Sequence, residues 1–89
     1  MTKIKKLVLD VLKPHEPSII LLAGKINDIK GVDLVDITIA SVDRRVETAK
    51  ITIEGTTLNY DKILKEIQDN GATVKSIDQV LTSTREEKK

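Results

Sequence analysis

Four stretches of this chain place apolar residues at every second position, and two stretches between them switch to a spacing of three and four. A period of two marks a strand with one buried face, and a period near 3.6 marks a helix with one buried stripe. The order of the periods therefore fixes the order of the elements. Lys3 to Leu12 reads as a strand with Leu7, Leu9 and Val11 on one face and Val8, Asp10 and Leu12 on the other. Pro14 and Pro17 bracket His15-Glu16 and force a turn. A helix follows from about Pro17 to Lys30, with Ile19, Leu22, Ala23 and Ile26 as its stripe and Ile20 and Leu21 outside it. Pro17 suits the first helical position and Gly31 the residue just past the end. Gly24 inside this helix costs about 1 kcal/mol against alanine, which a close backbone approach would explain.

Val32 to Asp43 is a second strand with Val35, Ile37 and Ile39 inward, and Asp43-Arg44-Arg45 is the hairpin turn. Val46 to Glu54 is a third, with Ala49, Ile51 and Ile53 inward. The second helix carries Asn59 as N-cap, Leu58 stapled to Ile63, a stripe of Tyr60, Ile63, Leu64 and Ile67, an Asp61–Lys65 pair, and Asn70-Gly71 at its end. Thr73 to about Thr82 is a fourth strand whose irregular alternation suggests a bulge. Residues 1–83 form one domain, and 84–89 are expected to be a disordered tail. With right-handed crossovers, the order predicts two interlocked strand–helix–strand units. The expected fold is α+β: a ferredoxin-like βαββαβ sandwich, a four-stranded antiparallel sheet with both helices on one face.

Composition narrows function by exclusion. The chain has 89 residues, of which 12 are Ile, 9 Leu and 8 Val, enough for one core. Fifteen basic and 14 acidic residues give a formal charge of +1, so no field of one sign is available to hold nucleic acid or an anionic membrane. Cysteine is absent, which removes thiol catalysis and thiolate metal sites. Tyr60 is the only aromatic, so bases have no stacking platform. No signal peptide or 18-residue apolar run is read, and a cytoplasmic location is expected.

The fold hosts many activities, so function must be argued from sites. The first loop, Lys13-Pro14-His15-Glu16-Pro17, lacks the cysteines of a metal carrier and the arginine of an acylphosphatase. Gly31-Val32 after the first helix fits an ACT-like amino-acid-sensing module, and fits equally a helix stop followed by a core valine. His15, Glu16 and Asp43 reach one end of the sheet and could meet around a divalent cation; the plainer alternative is three solvated loop residues. Asp10, mid-strand, is either a cross-strand partner of Lys50 or Thr52, or a ligand on the open sheet face. The pool of candidate ligands for calcium or magnesium is Asp10, His15, Glu16, Asp43, Glu54 and Asp78. Arg44 and Arg45 are a weaker anion candidate. With one histidine and no cysteine, no nucleophile–base–orienter set exists.

The run Leu7-Val8-Leu9-Asp10-Val11-Leu12-Lys13-Pro14-His15-Glu16-Pro17 is similar to an archaeal family catalogued as domain of unknown function 211. The similarity continues through Gly31-Val32, Ile53-Glu54-Gly55-Thr56, Leu58-Asn59-Tyr60-Asp61 and Ser76-Ile77-Asp78-Gln79-Val80, about residues 4 to 82. Asn59-Tyr60 stands where an acid and phenylalanine look usual, and Gln79 where glutamate does. The resemblance implies a ferredoxin-like fold and homo-oligomers, in ring form, with no known activity. It carries over the motif positions Asp10, Lys13, Pro14, His15, Glu16, Glu54, Gly55, Ser76 and Asp78.

These readings converge on a non-enzymatic homo-oligomeric binding or scaffold protein. Its expected interface is Val8 and Leu12 on the open sheet face against Ile20 and Leu21 on the first helix. Two unlike surfaces favour a head-to-tail contact that closes into a ring. The partner is thus a second copy, with no nucleic acid, no membrane and an unidentified small ligand. The alternatives are an ACT-like metabolite-sensing module and a metal-assisted enzyme using His15 and Glu16.

Overall fold

A computed structural model describes residues 2–84. Its elements are β1 (Lys3–Pro14), α1 (Ile19–Asn27), β2 (Val32–Val42), β3 (Val46–Gly55), α2 (Tyr60–Asp69) and β4 (Thr73–Ser83). The strands pair antiparallel in the order β2-β3-β1-β4, which is the expected ferredoxin-like arrangement. Leu7, Leu9 and Val11 of β1 and Ile51 and Ile53 of β3 share one core with Leu22 and Ile26 of α1 and Ile63 and Ile67 of α2. Both helices therefore cover the same face of the sheet, where the period-two residues meet the helical stripes. Thr84 follows β4, and the rest of the expected 84–89 tail lies outside the described residues. Among the described residues no helix is long and apolar enough to cross a membrane.

Several local details differ from the sequence reading. β1 runs two residues further, to Pro14, which puts Lys13 in phase with Leu7, Leu9 and Val11 on the buried face. α1 is shorter than expected at both ends. Ser18, not Pro17, starts it, accepting a 3.4 Å bond from the Leu21 N–H. A serine oxygen can satisfy an orphan helical N–H, and proline only avoids having one. The helix stops at Asn27 with Asp28 as cap, and the left-handed Gly31 (φ 94°) follows only after a turn. No neighbouring atom lies near Gly24, so the expected close approach there is absent. The close approach is instead between Gly31 and Gly55, where a β-carbon on Gly55 would overlap the Gly31 carbonyl oxygen.

α2 follows expectation at both ends: Asn59 Oδ1 accepts from the Lys62 N–H at 3.1 Å, and Gly71 has φ 83°. Leu58 and Ile63 both join the core. The side-chain pair differs, since Lys65 bonds Asp69 at 2.9 Å and not Asp61. Asp61 sits in the first turn, where the helix dipole already favours a carboxylate. β4 is an edge strand whose register against β1 shifts between Val8 and Leu9 and between Asp10 and Val11, the expected irregularity. Ile77 and Val80 lie opposite Leu9 and Leu7, yet each is about half exposed (51% and 54%), whereas Val74 nearer the start of β4 packs against the core.

Candidate functional site

The inward phase of β1 carries a lysine at its last turn of the pleat. A buried ammonium must be paired and hydrogen-bonded. Lys13, 1% exposed, donates to the Pro14 carbonyl at 2.7 Å and to Glu47 Oε1 at 2.8 Å. Glu47 lies directly opposite on β3. Its second oxygen, Oε2, is 3.0 Å from His15 Nδ1, and His15 Nε2 is 2.8 Å from the Arg44 carbonyl oxygen. The cluster thus joins β1, the β1–α1 loop, the β2–β3 hairpin and β3. The bond to Glu47, and then that to the Arg44 carbonyl, hold the His15 pKa above its ordinary value. The Lys13 bond, followed by the His15 bond, holds the Glu47 carboxyl below its ordinary value.

A second network lies on the sheet face away from the helices. Strand register sets its rows. Asp10 stands between Lys50 and Ser76, and Thr38 extends the row beyond Lys50. Lys50 bonds Asp78 Oδ2 at 3.0 Å, and the Ser76 hydroxyl donates to Asp78 Oδ1 at 2.7 Å. The Asp78 bond raises the Lys50 pKa, with the charge of Asp10 adding to it. The Ser76 bond, then the Lys50 bond, lower that of Asp78. Asp10 therefore belongs to a sheet ion network around Lys50, close to the cross-strand alternative.

The candidate cation ligands separate. Asp10 and Asp78 flank Lys50 on the open face. His15 has both ring nitrogens engaged. Glu16 is exposed in the same turn, and Asp43 Oδ1 accepts from the Arg44 N–H at 2.7 Å. Glu54 is at the other end of the sheet, between Leu34 and Lys6. Among the described residues no three His or acidic side chains gather to hold a metal ion. Arg44 and Arg45 are exposed on the hairpin, where Arg44 contributes its backbone to the cluster.

Of the expected interface residues, Ile20 is 84% exposed and Leu21 also lies open. Val8 and Leu12 are half-buried and do not form one patch. Val8 sits between Thr52 and Gln79, Leu12 between Thr48 and Thr73, and the charged Asp10 row separates them. Exposed apolar residues also lie on the two edge strands, at Ile77, Val80 and Leu81 of β4 and at Leu34 and Val42 of β2. A shallow groove of about 360 Å³ crosses one end of the sheet, lined by Lys5, Lys6, Asp33, Leu34, Glu54, Gly55 and Leu81.

Residues 5–86 match the model of the domain of unknown function 211 family, described as "Uncharacterized ArCR". The chain belongs to this archaeal family. It is also similar to the "Uncharacterized protein MJ0319" of Methanocaldococcus jannaschii, at 41% identity over 85 residues, covering 96% of this chain and 88% of that protein. Of the motif positions that the resemblance carries over, Lys13, Pro14 and His15 lie in the loop cluster and Asp10, Ser76 and Asp78 in the sheet network, while Glu16, Glu54 and Gly55 lie outside both. Glu47, which joins Lys13 to His15, is the residue that sequence reasoning missed. The available signal was a lysine in phase with three buried apolar residues, which demands an acid nearby.

Proposed function

We propose that this DUF211 chain is a non-enzymatic, self-assembling scaffold or binding protein whose copies join head to tail in a ring. One observation carries the reading: the chain exposes apolar side chains at both edges of the sheet, Leu34 and Val42 of β2 among them. Ile20 and Leu21 lie on α1, which packs over β2 at one edge of the sheet. Ile77, Val80 and Leu81 lie on β4, the other edge. Apolar clusters on a small protein mark contact surfaces, and two different ones favour heterologous contacts. A divalent cation is not part of this reading, since no three ligands gather among the described residues. A metal-assisted reaction through His15 is not favoured either, because Glu47 and the Arg44 carbonyl occupy its nitrogens. Light scattering tests the reading: a defined multiple of the 9.9 kDa chain mass at micromolar concentration supports it, and a monomer refutes it.

A second reading, a small-metabolite sensor of the ACT kind, rests on the groove at the end of the sheet. Lys5, Lys6, Asp33 and Glu54 present both signs of charge beside Leu34 and Leu81, as a zwitterionic amino acid with an apolar side chain requires. A thermal-shift screen of amino acids separates the two, since a ligand bound only by the folded chain raises the melting temperature.

A further inference from the structure

We propose that His15 is a proton-operated latch that fastens the β1–α1 loop to the β2–β3 hairpin. The proposal rests on hydrogen-bond geometry. A backbone carbonyl can only accept, so Nε2, 2.8 Å from the Arg44 oxygen, must carry a proton. Glu47 faces the Lys13 ammonium at 2.8 Å through its other oxygen and is held ionised, so it too can only accept. Nδ1, 3.0 Å from Glu47, therefore carries a proton as well. The site fits an imidazolium. A neutral ring has one N–H for two acceptors: whichever bond it keeps, it turns a lone pair onto an oxygen at the other. Losing the proton thus breaks one fastening and makes the contact repulsive.

The surrounding charges are those of every element that meets the ring. β3 supplies Glu47 and β1 supplies Lys13, which is consumed by Glu47. The hairpin supplies Asp43, whose backbone also favours the charged ring, with Arg44 and Arg45 as opposing cations. The loop supplies Glu16. At the α2–β4 turn Gly71 brings no charge to Pro14. Among the described residues, the side-chain hydrogen bonds tying residues 15–17 to the hairpin and β3 are the two that His15 makes.

The sign of the pH effect follows. His15 titrates higher in the folded chain than its ordinary 6.5, so its stabilisation is complete below pH 6.5 and is lost as pH rises through the raised value. Glu47 titrates below its ordinary 4.5, so its share is present above pH 4.5 and is lost as pH falls through the lowered value. The latch is closed between these limits.

As the only histidine, His15 gives a single imidazole signal, and a nuclear magnetic resonance pH titration of the full chain reads it directly. The expected result is a midpoint above 6.5, with the amide signals of Glu16, Ser18, Arg44 and Arg45 moving at that midpoint and those of Ile51 and Ile63 staying fixed. Glu47→Gln should return the midpoint toward 6.5. His15→Gln, at a largely exposed position, should leave a folded chain whose loop and hairpin amides no longer share a transition near neutral pH. A wild-type midpoint at or below 6.5, or loop amides that ignore the ring's titration, overturns the latch.

Discussion

At the scale of single residues, the three glycines around α1 have opposite requirements. Gly24 is exposed in mid-helix with open space where a β-carbon would stand. Alanine there removes backbone freedom from the unfolded chain without strain, so Gly24→Ala should stabilise the protein by about 0.5–1 kcal/mol. Gly31 has φ 94°, and a β-carbon on it would overlap the Thr57 carbonyl oxygen, while one on Gly55 would overlap that of Gly31. Gly31→Ala and Gly55→Ala should each destabilise by more than about 1 kcal/mol. Thermal melts decide it: one variant should rise by a few degrees and two should fall, and a uniform response would contradict the assignment. The sequence flagged Gly24 for a close approach that belongs to Gly31 and Gly55, because the approach joins the α1–β2 turn to the end of β3, and single-chain periodicity carries no such long-range register. Glu47 escaped notice for the same reason. Its partner Lys13 lies 34 residues earlier and meets it only when β1 pairs with β3.

At the scale of elements, legibility follows how strongly local signals agree. α2 has a cap, a staple, a clean stripe and a terminal glycine, all pointing to the same boundaries, and it forms as read. α1 has a proline as its expected start and a distant glycine as its stop; the structure uses the serine after that proline and ends at Asn27, four residues before Gly31. The two caps also differ in quality, at 3.1 Å for Asn59 and 3.4 Å for Ser18, the latter near the limit of a hydrogen bond. Asn59→Ala should therefore cost about 1 kcal/mol, the usual value of a well-made cap, and Ser18→Ala clearly less. Denaturant midpoints of the two variants at constant slope measure this directly; equal losses would show that the longer bond is fully effective. β4 was the least regular reading, and its register shifts explain why: two extra residues on this strand break the alternation that a strand otherwise displays.

At the scale of the whole molecule, the question is which surfaces a second copy would cover. The open sheet face is a poor choice. Its rows mix threonine and serine with the charged Lys6, Asp10, Asp36, Lys50 and Glu54, and closing it would bury Lys50, Asp78 and Asp10 away from water, where an ion network must recover a large desolvation cost. The edges are better. β1 and β2 are each antiparallel to β3, and β4 is antiparallel to β1, so β4 runs opposite to β2. Repeating the chain head to tail therefore brings β4 of one copy beside β2 of the next as an antiparallel continuation of the sheet. From Gln79 to Leu81 the register of β4 against β1 is regular, and here Val80 faces the helix side and Leu81 the open side. On the assembly reading, Val80→Lys places a charge in this contact and should yield a monomer, and Ile20→Glu on the opposite edge should do the same. Leu12→Glu, between Thr48 and Thr73 on the open face, should leave the assembly intact. Light scattering on the three variants distinguishes the geometries: dissociation by Leu12→Glu with Val80→Lys unaffected would move the interface to the sheet face.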